Sequence, residues 1–280
     1  MMRSLWSAAS GMIAQQTNLD TIANNLSNVN TAGYKKDTAE FKSLLYQTLQ
    51  SPSTNNVGEN KPVPAQVGLG TRTAAITKVF TQGNLQDVDN TTYLALDGKG
   101  FFKVRNKDGE VCYTRDGSFD ISPTPNGNML CTSQGAPVLD QNNNTIIIPP
   151  GYKVDSISIS DDGKILVEGA DGKQVPLTKT INGTTYEQSI GVVQFNNPAG
   201  LNSLGGNLYQ ASVASGDAIE ESTNPNLKRS KIYQGYLEMS NVQVADEMVN
   251  MIVAQRAYEM NSKAIQASDE MLGQANNLRR

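Results

Sequence analysis

The 280 residues of this chain include no histidine, the usual general base, so carboxylates are the first candidates for acid–base chemistry. The candidates are Asp-Asp-Gly at 161–163, Asp-Gly at 171–172 and Glu-Glu at 220–221. Paired carboxylates can act as general acid and base, and a longer run of oxygen ligands could bind calcium. Asp-Gly pairs, however, favour tight hairpin turns, and the Glu-Glu pair lies in a polar connector. The pattern therefore predicts turns and solvated side chains, and no enzyme.

The two cysteines could bind a metal, form a disulfide or stay buried as small apolar side chains. Cys112 and Cys131 lie inside strand-like segments and lack the close spacing of metal ligands. We favour buried free thiols, with a disulfide as the alternative. The glycine-rich runs also lack the Lys-Ser or Lys-Thr that follows a phosphate loop. Neither a metal nor an organic cofactor is predicted.

Composition bears on two further classes of function. The net charge is −4 and no long basic run is present, so no nucleic-acid partner is predicted. No apolar run approaches about 18 residues, so we predict no membrane insertion. The first ten residues are weakly similar to a signal peptide. They also carry the first turns of an apolar repeat that cleavage would remove, so we predict that no signal peptide is cleaved.

A heptad repeat of apolar residues marks the N-terminal end of the chain. It predicts a helix from about Ser4 to Asn30, with Gly33 as its stop. The residues predicted to form an assembly interface on this helix are Leu5, Met12, Leu19, Ile22, Leu26 and Val29. Several Asn residues and Gly11 weaken helix propensity. We therefore expect the helix to be poorly ordered in the isolated chain and to fold on docking, the alternative being a stable helix packed on its own domain.

A second heptad repeat marks the C-terminal end. The helix is predicted to begin at a capping box, Ser-Asn-Val-Gln at 240–243. The predicted assembly interface continues on it with Val244, Met248, Met251, Ile252, Tyr258, Ile265 and Leu272. A seven-residue apolar repeat requires a partner helix to cover it. We therefore expect the two ends to pack against each other or against other copies of the chain.

The segment between the helices changes its pattern twice. Residues 34–50 could continue a helix or begin a strand. Residues 51–70 are rich in Ser, Asn, Pro and Gly, which predicts a flexible loop or an extended arm. From 71 to 213, short apolar runs alternate with turn signals, which predicts an all-β domain. The fold class is therefore α+β, with long terminal helices forming a coiled-coil-like core and a central all-β domain inserted between them.

Six runs resemble the bacterial flagellar basal-body rod and hook protein family. The two terminal ones are Ala-Asn-Asn-Leu-Ser-Asn-Val-Asn-Thr-Ala-Gly-Tyr-Lys at 23–35 and Val-Asn-Met-Ile-Val-Ala-Gln-Arg-Ala-Tyr-Glu-Met-Asn-Ser-Lys-Ala at 249–264. The four internal ones are Gly-Lys-Gly-Phe-Phe at 98–102, Tyr-Thr-Arg-Asp-Gly-Ser-Phe at 113–119, Gly-Gly-Asn-Leu-Tyr at 205–209 and Tyr-Gln-Gly-Tyr-Leu-Glu-Met-Ser-Asn-Val at 233–242. Residues 3–6 and 14–18 are most similar to the opening of distal-rod subunits, and the stretch from 44–48 through the Pro-rich arm to 68–72 is most similar to their rod-specific insertion.

The resemblance implies a structural subunit that leaves the cell unfolded and stacks helically into a rigid hollow drive shaft. Its terminal helices would line the inner core and its β domain would face outwards. The implied partners are copies of itself, proximal rod and hook subunits, the flagellar export apparatus with chaperones, and outer ring proteins that act as a bushing. The implied location is the periplasmic part of the basal body.

The same resemblance divides the chain into three parts. They are an assembly domain at 1–33 and 240–280, a connecting region at 34–72 and 214–239 with an arm at about 46–70 that bridges neighbours, and an outer β domain at 73–213. A proximal-rod or hook subunit is the alternative within the family. An exported wall hydrolase that uses carboxylates is the alternative from another class.

Overall fold

The computed structural model describes residues 2–50, 53–54, 60–61, 63–125, 127–150, 152, 157–168, 174–181, 184–224 and 227–277. The chain forms two compact units. The helix unit comprises Met1–Ser27, Asp37–Lys78 and Gln243–Arg280, and the β unit comprises Asn28–Lys36 and Val79–Val242. The predicted three-part division stays a prediction about the assembled subunit.

Two long helices lie at the two predicted places. Helix α1 spans Met2–Ser27 and helix α2 spans Val244–Asn277, and the two pack against each other. Helix α1 ends before its predicted stop at Gly33. The predicted capping box is wrong, because Ser240 Oγ accepts a hydrogen bond from the Val242 amide and α2 begins only afterwards.

The rest of the helix unit is an antiparallel ribbon. It consists of β1 (Asp37–Ser43), β2 (Tyr46–Gln50), β3 (Ser53–Thr54), β4 (Asn60–Lys61), β5 (Ala65–Gly68) and β6 (Thr71–Lys78). Strand β1 pairs with β6, β2 with β5 and β3 with β4. The choice between helix and strand for 34–50 is therefore decided for strand from Asp37 onwards. A two-stranded ribbon is marginally stable in water by itself, so its exposed side chains need cover from elsewhere.

The β unit holds the remaining strands. They are β7 (Leu85–Asp87), β8 (Leu94–Asp97), β9 (Phe101–Arg105), β10 (Val111–Thr114), β11 (Phe119–Thr124), β12 (Gly127–Thr132), β13 (Ile147–Ile148), β14 (Ser158–Ile159), β15 (Ile165–Glu168), β16 (Gln174–Pro176), β17 (Thr178–Ile181), β18 (Thr184–Glu187), β19 (Val192–Gln194), β20 (Asn202–Gly205), β21 (Leu208–Gln210), β22 (Ile219–Glu220), β23 (Lys231–Gln234) and β24 (Tyr236–Glu238). A short 3-10 helix, Pro198–Gly200, precedes β20. The β-rich middle and the α+β class are confirmed; the coiled-coil core and the insertion stay predictions.

A six-stranded sheet organises this unit, in the order β20-β21-β10-β9-β19-β22. Smaller sheets are β11-β12-β13, β14-β15-β16, β17-β18, β23-β8 and β24-β7. Strand β9 is buried on both faces. Alternate side chains of a strand point in opposite directions, so neighbouring residues of β9 enter different apolar clusters. Phe102 packs into the main apolar core, whereas its neighbour Phe101 packs into a second cluster with Phe195 and Tyr209.

Candidate assembly surface

The seam between α1 and α2 is built from small and polar residues. Three pairs face each other across it: Ser4 with Ser268, Gly11 with Asn261, and Asn25 with Glu247. Each heptad step forward along α1 matches a heptad step back along α2. The helices therefore run antiparallel in one register. Ala254 occupies the remaining heptad position of α2 and is buried.

Close approach of the helices depends on the small side chains in this seam. A Cβ on Gly11 would lie 2.8 Å from the Asn261 amide nitrogen, so glycine leaves the room that the asparagine occupies. At one end of the seam, Ser4 Oγ and Ser268 Oγ are 3.4 Å apart. The apolar periodicity did not reveal this seam. In the sequence the seam is marked by the same seven-residue period, but the residues that repeat are small or polar ones such as Ser, Gly, Asn and Ala.

The predicted interface residues differ in how far their side chains are exposed. On α2 four residues of the heptad stripe follow a seam residue by four positions, which puts them on the adjoining face: Met251, Tyr258, Ile265 and Leu272. Ile22 is buried inside the helix unit. The half-buried residues are Leu5, Met12, Leu19, Leu26, Val29, Met251 and Ile265. The exposed ones are Val244, Met248, Ile252, Tyr258 and Leu272. Val29 belongs to the β unit. Their joint role as an interface stays a prediction.

Further apolar side chains are exposed outside the predicted stripe. They are Trp6 and Ile13 on α1 and Val249, Val253, Met260 and Met271 on α2. The ribbon adds Phe41, Leu45, Tyr46, Leu49, Val63, Val67, Leu69 and Ile76. The helix residues among them lie outside the two predicted apolar heptad repeats. Large apolar side chains left exposed on both helices and on the ribbon favour this unit as a site of association.

A buried ion cluster in the β unit joins three of the runs that carry the family resemblance. Lys35 Nζ lies 2.6 Å from Glu238 Oε1, and Arg115 Nη1 lies 3.3 Å from Glu238 Oε2. Lys35 also donates to the Thr81 carbonyl at 2.8 Å, and the Gly83 amide donates to Glu238 Oε1 at 3.0 Å. The cluster thus links residues 28–36 to strands from two other parts of the β unit.

Burial dominates the electrostatics of this ion cluster. Desolvation lowers the pKa of Lys35 from its ordinary value, and the carboxylate of Glu238 opposes that change only in part. The pKa of Arg115 is also lowered by desolvation, against the attraction of Glu238 and Glu221. Because both charges lose their water, a buried pair of this kind contributes little net stability, although removal of one partner is costly.

The carboxylates considered for catalysis lie in a turn or in side-chain contacts of the β unit where the structure describes them. Gly163 turns the chain between β14 and β15 with a φ of 81°, which confirms the predicted hairpin turn. The run at 171–172 lies outside the described residues. The prediction that Glu220 and Glu221 are solvated is wrong for Glu221, whereas the Glu220 side chain is partly exposed. Glu220 pairs with Lys103 at 2.7 Å, and Glu221, which is 4% exposed, accepts hydrogen bonds from the Ser230 amide and hydroxyl.

The cysteines are buried free thiols, as predicted. Desolvation raises the pKa of both Cys112 and Cys131, so the reactive thiolate is disfavoured. Among the residues that the structure describes, no three His, Cys, Asp or Glu side chains are grouped as metal ligands would be. Within the same residues, neither helix is long and apolar enough to cross a membrane.

Three protein-family models match successive parts of the chain. The family model described as flagella basal body rod protein matches residues 5–35. The flagellar hook protein FlgE/F/G D1 domain matches 95–167, and the flagellar basal body rod FlgEFG protein C-terminal model matches 233–278. The first and third matches contain much of α1 and α2, and all three contribute to the ion cluster.

Similar proteins extend over the whole length. The flagellar basal-body rod protein FlgG of Borreliella burgdorferi is 48% identical and covers 100% of both chains. Its namesake in Buchnera aphidicola subsp. Schizaphis graminum is 43% identical over 97% of this chain and 98% of that protein. The protein of the same name in Bacillus subtilis is 39% identical over 100% of both.

Proposed function

The chain belongs to the flagellar basal-body rod protein family, and we propose that it is a structural subunit of the distal rod. In this role, copies stack helically into a rigid hollow shaft that transmits torque to the hook. The relatives of matching length are rod proteins and not enzymes. A wall hydrolase therefore has no support, and a proximal-rod or hook subunit remains the alternative within the family.

One observation carries the proposal: α2 keeps a row of large apolar side chains exposed along the face next to the seam. Val244, Met248 and Ile252 are 42%, 52% and 56% exposed. Full burial of a fully exposed side chain of this size is worth roughly 1.5–3 kcal/mol, and because these side chains are about half exposed, roughly half of that gain is still available to each. The seam already occupies the polar face of α2, so further copies of the chain are the partners that this apolar face fits.

The contacts between copies must be heterologous. A head-to-tail contact that does not close into a ring generates a helical filament. We propose that the α1–α2 pairs of successive copies pack side by side as a coiled-coil-like core, with the predicted interface residues between them. The β unit would face outwards from that core.

The ribbon has a separate role in the proposal. Its strands β2 and β5 correspond to the arm predicted at about 46–70, and β2 is exposed along its whole length. Because a two-stranded ribbon lacks a core of its own, docking on a neighbouring copy would stabilise it. We propose that it bridges neighbours and stiffens the shaft. Deleting residues 51–66 should then give a softer tube or none, whereas unchanged stiffness and motility would refute the bridging role.

We propose the remaining partners from the family resemblance. They are the proximal rod and hook subunits, the export apparatus with its chaperones, and the ring proteins that surround the rod. The family also places the subunit in the basal body, and we propose its periplasmic part, reached by export without a cleaved signal peptide. The full-length match to rod proteins supports these assignments.

The experiment that tests the proposed role introduces a charge on the exposed stripe. Ile252→Asp should abolish incorporation of the subunit into rods, since a buried unpaired carboxylate is costly. Asn250→Asp places the same charge two residues away at an exposed polar position and serves as the control. Both variants should keep the β unit folded. Normal rods from the Ile252→Asp variant would overturn the proposal.

A further inference from the structure

A buried lysine in the β unit is held against an asparagine and a glutamate. Lys103, on β9, is 2% exposed. Its Nζ lies 2.9 Å from Asn143 Oδ1 and 2.7 Å from Glu220 Oε1. The third contact of this ammonium group is the Gln141 carbonyl, at 2.8 Å. An amine, a carboxamide and a carboxylate thus meet at one point.

The amine is held in place by its surroundings. The Lys103 amide donates to the Gly191 carbonyl at 3.0 Å, and the Leu139 amide donates to the Lys103 carbonyl at 2.9 Å. These bonds fix the backbone of β9 on both sides. A Cβ on Gly191 would overlap Lys103 Cε, so the lysine stem passes through a space that only glycine leaves open.

The carboxamide is held as firmly. Asn143 has a φ of 61° in a turn closed by Asp140, whose Oδ1 accepts the amides of Asn142 at 2.9 Å and Asn144 at 2.7 Å. Arg105, on the same strand as the lysine, donates to the Asn143 carbonyl at 2.7 Å. The Asn143 residue is itself exposed, so a small leaving group released from its side chain has a path to water.

The geometry points to a covalent site: Lys103 and Asn143 form an intramolecular isopeptide bond, with Glu220 moving the proton. Lys103 first passes one proton of its ammonium group to Glu220. The free amine attacks Asn143 Cγ, forming a C–N bond as the carbonyl π electrons move to oxygen. Glu220 protonates Nδ2, the carbonyl re-forms and the Cγ–Nδ2 bond breaks. Ammonia leaves and takes up the proton that the lysine nitrogen loses.

General principles account for the reaction without any further reagent. Reacting groups fixed at contact distance react as though at very high concentration. A carboxylate within hydrogen-bond reach of the nucleophile acts as its base and then as the acid for the leaving group. The product is an amide that joins β9 to the turn at 140–144. Such a bond forms within one β unit and is independent of assembly.

Intact-mass measurement on the denatured full-length chain, purified in its folded state, tests the inference. The wild-type mass should fall below the sequence mass by one ammonia, about 17 Da. Peptide mapping should then recover a branched peptide in which trypsin has not cut after Lys103. The loss should disappear in Lys103→Arg, in Asn143→Ala and in Glu220→Gln.

Asn142→Ala, next to the site, is the matched control and should keep the loss. A wild-type chain of full sequence mass would overturn the inference, because the wild-type fold holds all three groups in place. A loss that persists in Asn143→Ala would also overturn it, by placing the lost ammonia elsewhere. The mass assay reads neither rod assembly nor motility, so its failure leaves the proposed function untouched.

Discussion

Asn25 stands opposite Glu247 across the seam between α1 and α2, with Asn25 Nδ2 3.3 Å from Glu247 Oε2. The same side chain makes two hydrogen bonds to the backbone of Asp37. Asn25 Nδ2 donates to the Asp37 carbonyl and Asn25 Oδ1 accepts from the Asp37 amide, each at 2.8 Å. Asn25 is 1% exposed. One amide therefore joins both helices and the first strand of the ribbon within the helix unit.

Asn25→Ala should weaken assembly through this junction. The substitution leaves the Asp37 backbone and the Glu247 carboxylate with fewer partners, at about 1–3 kcal/mol for each buried group that loses its bond. We expect rods that incorporate the variant poorly and dissociate at a lower temperature. Asn24→Ala, an exposed neighbour of the same type, is the control. Equal rod stability for the two variants would show that the junction contributes nothing.

Glu238→Gln should destabilise the β unit strongly, because it leaves the cations of Lys35 and Arg115 buried without their carboxylate. Removal of one partner from such a buried group costs about 3–5 kcal/mol. The control is Glu187→Gln, which breaks the exposed pair with Lys164 and should cost less than about 1 kcal/mol. Urea unfolding followed by circular dichroism compares the two, and similar losses would contradict the assignment.

The lowered pKa of Lys35 predicts a pH dependence. Between this lowered pKa and the ordinary value of 10.5, the unfolded chain binds the proton and the folded chain does not. The free energy of unfolding therefore gains a contribution that rises with pH through that window and is lost as pH falls through the folded pKa. Lys35→Met should remove this contribution. Parallel stability curves for variant and wild type would argue against it.

Gly117→Ala should destabilise the β unit for a steric reason. A Cβ there would overlap the carbonyl oxygen of Leu94. Because this oxygen belongs to the backbone, no side-chain rotation can remove the clash. Overpacking typically costs about 1–3 kcal/mol, and a clash with rigid backbone places Gly117→Ala at the upper end of that range. Gly135→Ala adds a Cβ in open space at a φ of 83° and isolates the cost of backbone strain, about 1–2 kcal/mol. Thermal unfolding should rank Gly117→Ala below it, and the reverse order would refute the clash.

Cys112 and Cys131 should resist thiol reagents in the native protein. Both are buried and both thiols have a raised pKa, so at mildly alkaline pH each holds less thiolate than a free cysteine. Maleimide labelling should therefore follow the unfolding of the β unit as urea increases. Rapid labelling of either thiol without denaturant would contradict the structure.

Local sequence patterns predict that the two helices exist more reliably than they predict the residues at which the helices begin and end. The apolar heptads identified both helices because the repeat is carried by neighbouring residues of one segment. The start of α2 was placed too early because Ser240 satisfies the Val242 amide in a local turn instead of capping the helix. Likewise, Gly33 has the positive φ expected of a helix stop, but it packs against the backbone of Arg115 and Asp116.

Long-range contacts explain what the sequence did not reveal. Lys35, Arg115 and Glu238 each lie in a recognisable run, yet nothing in a single run indicates that the three charges meet. Glu221 was expected in water because its neighbours in the chain are polar, whereas Ser230 and Gln194 approach it from elsewhere in the β unit. The polar seam was missed for a related reason, since apolar periodicity cannot report a heptad of small residues.

Amide hydrogen exchange on the monomer and on assembled rods tests the central claim most directly, since it reports order residue by residue. The central claim is that the apolar faces of both helices are covered by other copies only in the rod. The amides of α1 and α2 should therefore exchange far faster in the monomer than those of β9 and β10. In the rod the same helix amides should become protected. Helices as protected as those strands in the monomer, with no further slowing in the rod, would contradict the account.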